Sequence, residues 1–179
     1  MKIIKEILGW VISIALAIIF SYLFITFIAQ KTNVIGESME NTLKDKDQLI
    51  INKLAYRIDE PQRFDIVVFP YHKDKKTNYI KRIIGMPGET VQIKEGYVYI
   101  NGELLEENYG KEVMEYYGRA ENPIVLGEDE YFVLGDNRNN SSDSRFEDVG
   151  NIKRSEFIGK TTFRVYPFDT FGKIKNGNK

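Results

Sequence analysis

The chain has 179 residues, which is enough for one modest domain together with a segment that crosses a membrane. Its net charge of −1 gives no indication of a nucleic-acid partner, and the absence of cysteine from the sequence excludes disulfides and thiol catalysis. With a single histidine and no glycine-rich nucleotide loop, the sequence predicts neither a conventional zinc site nor another cofactor.

Residues 7–29 form an uncharged apolar run that predicts a transmembrane helix. At ~1.5 Å rise per residue, such a helix spans the ~30 Å hydrocarbon core of a bilayer. A cleavable secretory signal has a shorter apolar region, and it would need a small residue where Phe27 stands. We therefore predict a short tail at residues 1–6, a membrane anchor at 7–29 and a domain at 30–179. The flanking lysines, Lys2 and Lys5 on one side and Lys31 on the other, leave the orientation of the anchor open.

After the anchor, the sequence predicts short strands separated by turn signals. Strands are expected at residues 49–51, at 65–69 up to Pro70, and at 79–84 before a type II turn at Met86-Pro87-Gly88. Alternating residues between 91 and 104 predict hairpins that turn at Glu95-Gly96 and Asn101-Gly102. Further strands are expected at 131–134 and 161–166, whereas the polar residues 105–128 read as an excursion from the core. The prediction is a mostly β fold: one compact, antiparallel, β-rich domain preceded by one transmembrane helix.

The first polar segment in which chemistry could occur is 36–43, about ten residues after the anchor. Its serine, Ser38, could simply cap a helix, but Asn41 three positions later makes only a poor capping box. A catalytic nucleophile is the functional alternative.

The second segment places two cations, Lys81 and Arg82, next to each other in an apolar strand. Because strand side chains alternate, the two must point to opposite faces, so one of them should face inward or line a cleft. An edge strand protected by lysine is the simpler alternative. An ordinary lysine is almost fully charged at pH 7, so a catalytic base here would need a pKa lowered to about 7–8 by desolvation. Apolar neighbours such as Ile80, Ile83 and Phe69 could provide it.

The third segment, residues 135–145, is a polar run directly after a predicted strand. Asn, Asp and Ser commonly form hydrogen-bonded turns, so this composition does not by itself require a function. Two aspartates and two arginines in one loop could also support a site through charge-assisted hydrogen bonds.

Taken together and in order, these segments resemble bacterial type I signal peptidases. The resemblance rests on Ser38-Met39, on residues 65–69, on residues 79–88 and on residues 135–145, and it covers nearly the whole chain. It implies a β-rich Ser–Lys peptidase domain outside the cytoplasmic membrane, with a cytoplasmic N-terminus. It also implies that secretory preproteins are the substrates and the lipid bilayer a further partner; no oligomer is implied.

The resemblance also implies roles for individual residues. Ser38 matches the nucleophile, Lys81 the general base, and Ser141 the hydroxyl that orients the lysine amine. Asp143 and Arg145 match one supporting ion pair, and Arg82 and Asp136 match a second.

The chain departs from the family motif at two positions. Asn41 stands where the motif usually has a proline, whose fixed φ would stiffen the loop that carries the nucleophile. Gly36 stands where some members have a serine that helps to form the oxyanion hole. The backbone N–H of Ser38 would then be the remaining donor, and one such donor is worth about 2.7–4 kcal/mol.

Two other readings are open at this point. One is a triad of Ser38, His72 and an aspartate, although His72 lies in a charged loop between predicted strands. The other is a membrane-tethered β-domain without catalytic activity that binds partners or envelope polymers.

Overall fold

The computed structural model describes residues 2–110 and 112–174. Met1 of the predicted tail, and Lys111 and residues 175–179 of the predicted domain, lie outside the described residues.

A single long helix, α1 (Lys2–Phe27), opens the chain. Within it, Ile3–Phe24 is long and apolar enough to cross a membrane, and none of that stretch is buried against the rest of the protein. The helix begins before residue 7, where the predicted anchor starts, and includes the charged residues Lys5 and Glu6. Ala29, the last residue of the predicted anchor, is already the first residue of a strand.

The junction between helix and domain is hydrogen-bonded. The Ile28 N–H donates to the Phe24 carbonyl oxygen (2.8 Å), and the Lys53 N–H donates to the Ile28 carbonyl oxygen (2.9 Å). In addition, Lys53 Nζ donates to the carbonyl oxygen of Thr26 at 3.1 Å. The helix therefore continues into the sheet without a free linker.

Within residues 2–110 and 112–174, twelve strands and one short helix follow α1. They are β1 (Ala29–Asn33), β2 (Gln48–Asn52), α2 (Ala55–Ile58), β3 (Ile66–Tyr71), β4 (Asp74–Gly85), β5 (Thr90–Lys94), β6 (Tyr97–Ile100), β7 (Glu103–Leu104), β8 (Ile124–Val125), β9 (Glu130–Leu134), β10 (Ile152–Lys153), β11 (Gly159–Tyr166) and β12 (Gly172–Lys173). Short 3₁₀ turns occur at Gly118–Glu121, Arg154–Glu156 and Phe168–Thr170.

The strands form two antiparallel sheets. The larger has the order β1-β2-β11-β3-β4-β9-β10, with β12 added to β11, and the smaller has the order β7-β6-β5-β8. The predicted fold class, mostly antiparallel β with one N-terminal apolar helix, is confirmed.

The central strands are buried on both faces, which explains their continuous apolar runs. In β9, Phe132 and Leu134 pack into the core beneath the small sheet, while Tyr131 and Val133 pack into a second core on the opposite face. Alternating side chains of one strand therefore serve two cores. A third core, which includes Val34, Met39 and Leu43, lies under the loop between β1 and β2.

The predicted turns are present. The Glu89 N–H donates to the Met86 carbonyl oxygen (3.1 Å) across Pro87 and Gly88, and Gly88 has the positive φ of 76° that a type II turn requires. Glu95-Gly96 and Asn101-Gly102 both have positive φ at the two central positions, as tight hairpin turns need.

Two predictions about elements were wrong. Pro70 does not end its strand: β3 continues to Tyr71, and Pro70 lies beyond the part of β3 that pairs with β11, where a missing N–H is tolerated. Residues 105–128 are also not an excursion from the core, because Met114, Ala120 and Leu126 are buried against the small sheet.

Candidate active site

Ser38 and Lys81 are distant in the sequence and lie next to each other in the structure. Ser38 lies in the loop between β1 and β2, and Lys81 lies on β4. Lys81 Nζ donates a hydrogen bond to Ser38 Oγ at 2.7 Å and a second to the carbonyl oxygen of Ile80 at 3.1 Å. A hydroxyl and an amine at this distance can exchange a proton directly.

Lys81 is almost completely buried, with 3% of its surface exposed. Val67 on β3 lies directly opposite, and Tyr79 and Ile83 share its face of β4, whereas Ile80 points to the other face. Burial lowers the pKa of Lys81 to about 8, against the opposing effect of the carboxylates of Asp143 and Asp136. A substantial fraction of the amine is therefore neutral near pH 8.

The loop 135–145 is clamped onto the Ser38 segment. The Asn137 N–H donates to the Ser38 carbonyl oxygen (3.0 Å), and Asn137 Nδ2 donates to the Glu37 carbonyl oxygen (3.1 Å). Gly135 makes this approach possible, since a Cβ at that position would collide with the Ser38 carbonyl oxygen and with Ser141 Oγ. The sequence did not single out Asn137, and its place in the polar run was the only available signal.

The Asp143–Arg145 ion pair holds the same loop from inside. Arg145 Nε lies 2.8 Å from Asp143 Oδ1, and both side chains are buried. The other carboxylate oxygen of Asp143 accepts the Gly135 N–H (3.1 Å). The pair therefore connects the two ends of the loop that contacts Ser38.

The second ion pair lies on the opposite face of β4. Arg82 makes a bidentate contact with Asp136, at 2.8 Å from Nε to Oδ1 and 2.7 Å from Nη2 to Oδ2, and neither side chain is exposed. Arg82 also donates to the carbonyl oxygen of Phe64 at 2.8 Å and stacks on the ring of Tyr109, with Cζ 3.7 Å from the ring centre. Lys81 and Arg82 do point to opposite faces, and both are buried.

Ser141 lies beside the site, but the hydrogen bond to Lys81 that the resemblance implied is not made. Its Oγ is buried and has no hydrogen-bond partner among the described residues.

Gly36 and Asn41 bracket Ser38, and both have backbone angles that proline cannot adopt. Gly36 has φ 88° and its N–H donates to Asp45 Oδ1 at 2.9 Å, while Asn41 has φ 102° and its Nδ2 donates to the Tyr109 carbonyl oxygen at 3.0 Å. The Ser38 N–H makes no hydrogen bond within the part of the chain that the structure describes, so it can donate to a bound oxygen. Asn41 thus fixes the loop by a side-chain hydrogen bond where the family motif has proline.

An open cleft of about 920 Å³ gives access to both residues. Its walls come from residues 31–39, from 76–81, from 139–142 and from Phe146.

His72 does not belong to this site. It is exposed in the turn between β3 and β4, and its Nε2 hydrogen-bonds to Glu156 Oε1 at 2.5 Å. No group of histidine and acidic side chains that could hold a metal ion occurs in residues 2–110 and 112–174.

Comparison with known proteins gives consistent matches. The family model described as signal peptidase, peptidase S26, matches residues 7–166. Probable signal peptidase I-2 of Synechocystis sp. is 42% identical over 155 residues, which cover 83% of this chain and 68% of that protein. Signal peptidase IB of Staphylococcus aureus is 35% identical, covering 93% of both chains. The crystal structure of a signal peptidase I from Enterococcus faecalis is 35% identical and covers 57% of this chain and 97% of that chain, with a TM-score of 0.47.

Proposed function

Because the chain belongs to the signal peptidases of the peptidase S26 family, a serine peptidase family that removes signal peptides, we propose that Ser38 is its nucleophile and Lys81 its general base. The observation that carries this assignment is the 2.7 Å contact between Ser38 Oγ and a lysine amine that burial makes easier to deprotonate. Such an amine can accept the hydroxyl proton near neutral pH.

The reaction then has two halves. Neutral Lys81 takes the proton of Ser38 as Oγ attacks the carbonyl carbon at the cut site, and the Ser38 N–H donates to the oxyanion. Lys81 passes the proton to the leaving nitrogen, the C–N bond breaks, and the mature protein departs with a new amino terminus. The signal peptide remains as an ester on Ser38. Lys81 next takes a proton from water as the water oxygen attacks the ester carbon. The bond between that carbon and Ser38 Oγ breaks, Oγ takes the proton back from Lys81, and the signal peptide leaves with a new carboxyl terminus.

The other residues support this pair without entering the chemistry. Asn137 holds the Ser38 carbonyl oxygen, and the Asp143–Arg145 pair holds the loop 135–145 from which Asn137 comes. Arg82 and Asp136 fix β4 to the start of the loop 135–145 from the opposite face. Ser141 lines the same cleft as Lys81, and its buried hydroxyl, unpaired among the described residues, supports a role in orienting the Lys81 amine.

We also propose that α1 anchors the protein in the cell membrane with residues 1–6 in the cytoplasm and the catalytic domain outside. The exposed apolar side chains of Ile3–Phe24 support contact with lipid. The outer position of the domain follows from its substrates, since exported preproteins present their signal peptides at that face.

Cleavage of a preprotein by the full-length protein in lipid vesicles tests the assignment. Ser38→Ala should reduce cleavage to background, and Lys81→Arg, which keeps the charge but cannot act as a base, should reduce it about 10²–10⁴-fold. Ser142→Ala and His72→Ala are matched controls that should retain activity, because Ser142 is an exposed serine of the same cleft and His72 lies elsewhere. A folded Ser38→Ala or Lys81→Arg variant that cleaves at a near wild-type rate would rule out the pair.

A further inference from the structure

The ring of Tyr79 lies beside the amine of Lys81. Its centre is 5.1 Å from Lys81 Nζ, and the residue lines the cleft through which water and substrate approach. The ring therefore occupies space that water would otherwise take next to the amine. The face of an aromatic ring attracts a cation and so favours the charged amine, but burial has the larger effect and lowers the pKa of Lys81. The position of this ring therefore matters for the base.

Two aromatic neighbours hold the Tyr79 ring in place. Tyr71 stacks on it almost in parallel, with ring centres 4.7 Å apart and an angle of 8° between the planes. Phe69, which is directly opposite Tyr79 on β3, contacts it edge-on at 6.1 Å. Phe69 is fully buried, whereas Tyr71 is only partly buried and needs another restraint.

Asp148 provides that restraint. The Tyr71 hydroxyl donates to Asp148 Oδ2 at 2.6 Å, and this hydrogen bond is the main reason that the pKa of Tyr71 rises to about 12 and that of Asp148 falls. Asp148 lies just after the loop 135–145 and directly before Val149, which is buried in the core that also contains Phe69. The carboxylate is thus attached to the same core as the strands.

Neither Tyr71 nor Asp148 belongs to the described lining of the catalytic cleft, whereas Tyr79 does. The aromatic contact that leads from Tyr71 towards Lys81 runs through the Tyr79 ring.

We propose that Tyr71 and Asp148 are positioning residues for the catalytic base: their hydrogen bond holds Tyr71 against Tyr79, and the Tyr79 ring keeps water from the amine of Lys81. The proposal rests on the proposed function, in which Lys81 is the base. The sequence of contacts runs from Asp148 through Tyr71 and Tyr79 to Lys81.

Other charged groups act on the same residues and remain unchanged in the test below. Lys73 Nζ lies 3.5 Å from Asp148 Oδ2. The further charged groups near Lys81 or in the cleft are Asp136, Asp143, Arg145, Lys31, Glu37 and Lys76.

The test compares variants of the full-length protein in detergent. Tyr71→Phe removes only the hydroxyl, Asp148→Ala removes its acceptor, and Tyr71→Leu removes the stacking ring. Tyr56→Phe is the matched control, because Tyr56 also donates to a carboxylate (Asp65 Oδ2, 3.1 Å) and packs against the same core without contacting Tyr79.

Two quantities are measured against pH: kcat/KM for a soluble signal-peptide substrate, and the rate at which acetic anhydride labels the Lys81 amine. The acidic limb of the kcat/KM profile and the midpoint of the labelling curve should both move to higher pH. The expected shift is about half a pH unit or more for Tyr71→Leu, and it is smaller for Tyr71→Phe and Asp148→Ala. Tyr56→Phe should leave both pH curves unchanged, even if it lowers the thermal unfolding midpoint as much as the Tyr71 and Asp148 variants do.

Curves for the Tyr71 and Asp148 variants that superimpose on those of wild type and Tyr56→Phe would overturn the proposal. Labelling separates this outcome from an error in the catalytic assignment. If Lys81 is not the base, its labelling midpoint still reports whether the Tyr79 ring is held, while the pH dependence of cleavage does not follow that midpoint.

Discussion

Burial of Lys81 has an energetic cost that its proposed role as the general base explains. Its pKa falls from 10.5 to about 8 because the amine is buried, so the charged form is disfavoured in the folded protein by about 3 kcal/mol. A side chain of similar length without charge avoids that cost.

We therefore expect Lys81→Met to abolish cleavage and to raise the free energy of unfolding at pH 7 by about 1–3 kcal/mol. Between about pH 8 and 10.5 the unfolded wild-type lysine binds a proton that the folded one does not, so wild-type stability rises with pH through this window. The advantage of Lys81→Met should accordingly disappear towards pH 10.5. Denaturant unfolding at pH 7 and 10 measures this, and a variant that is less stable at both values contradicts it.

Asn41 illustrates how one loop can be fixed in two ways. Asn41→Pro should lower stability by several kcal/mol and impair cleavage, because proline cannot adopt the observed φ of 102°. Asn41→Gly should cost only about 1 kcal/mol, since glycine accepts this φ and only the hydrogen bond to Tyr109 is lost. Thermal unfolding and cleavage of both variants provide the comparison, and a proline variant as active and stable as the glycine variant would show that the loop adapts.

At the scale of single residues, alternation along a strand was enough to predict that Lys81 and Arg82 face opposite ways. It could not predict that both are buried, because burial depends on Ser38 and Asp136, which come from distant segments. The hydrogen bonds from Asn137 to the Ser38 segment were not predictable either, because they require the close approach of two loops that Gly135 permits.

At the scale of elements, the local turns were predictable and the long polar segment was not. Pro and Gly determine φ locally, so Met86-Pro87-Gly88 and the two Gly-containing hairpins follow from three or four residues each. Residues 105–128 contribute only isolated apolar residues to the core, including Met114 and Leu126, and no periodicity marks them. Their burial is set by the small sheet that they cover.

The strand β4 depends on the Arg82–Asp136 pair, which is fully buried. Arg82→Met should destabilise the protein by about 3–5 kcal/mol, because it leaves the Asp136 carboxylate buried without its partner. Combining Arg82→Met with Asp136→Leu should recover much of that loss. Glu60→Ala is the control, since Glu60 is exposed and its ion pair with Arg154 should be worth about 0.2–1 kcal/mol. Chemical denaturation of the four proteins measures these differences; a double variant no better than the single one would contradict the argument.

At the scale of the whole molecule, hydrogen bonds join α1 directly to the large sheet, with no flexible linker between them. A six-residue Gly-Ser insertion after Phe27 adds a linker of roughly 13 Å root-mean-square length. The test uses a series of preproteins that differ in the number of residues between the apolar segment and the cut site. In vesicles, the insertion variant should cleave a wider range of this series than the wild type. Cleavage of a soluble peptide should stay unchanged.

The control for this insertion is the same segment placed in the exposed turn at Asn101-Gly102. Both proteins should cleave the soluble peptide equally well, and only the anchor variant should relax the spacing. An unchanged spacing preference would mean that the junction does not set the height of the nucleophile.

The proposed membrane anchor would also determine how the enzyme finds its substrate. With α1 in the bilayer, as proposed, enzyme and preprotein would diffuse in the same plane, and the hydrogen-bonded junction would keep the catalytic cleft close to the end of the helix. The encounter rate then depends on the number of enzyme and preprotein molecules per unit of membrane area. It does not depend on the volume of the surrounding solution. Enlarging the membrane at a constant number of enzymes would slow processing, whereas diluting the cells would not.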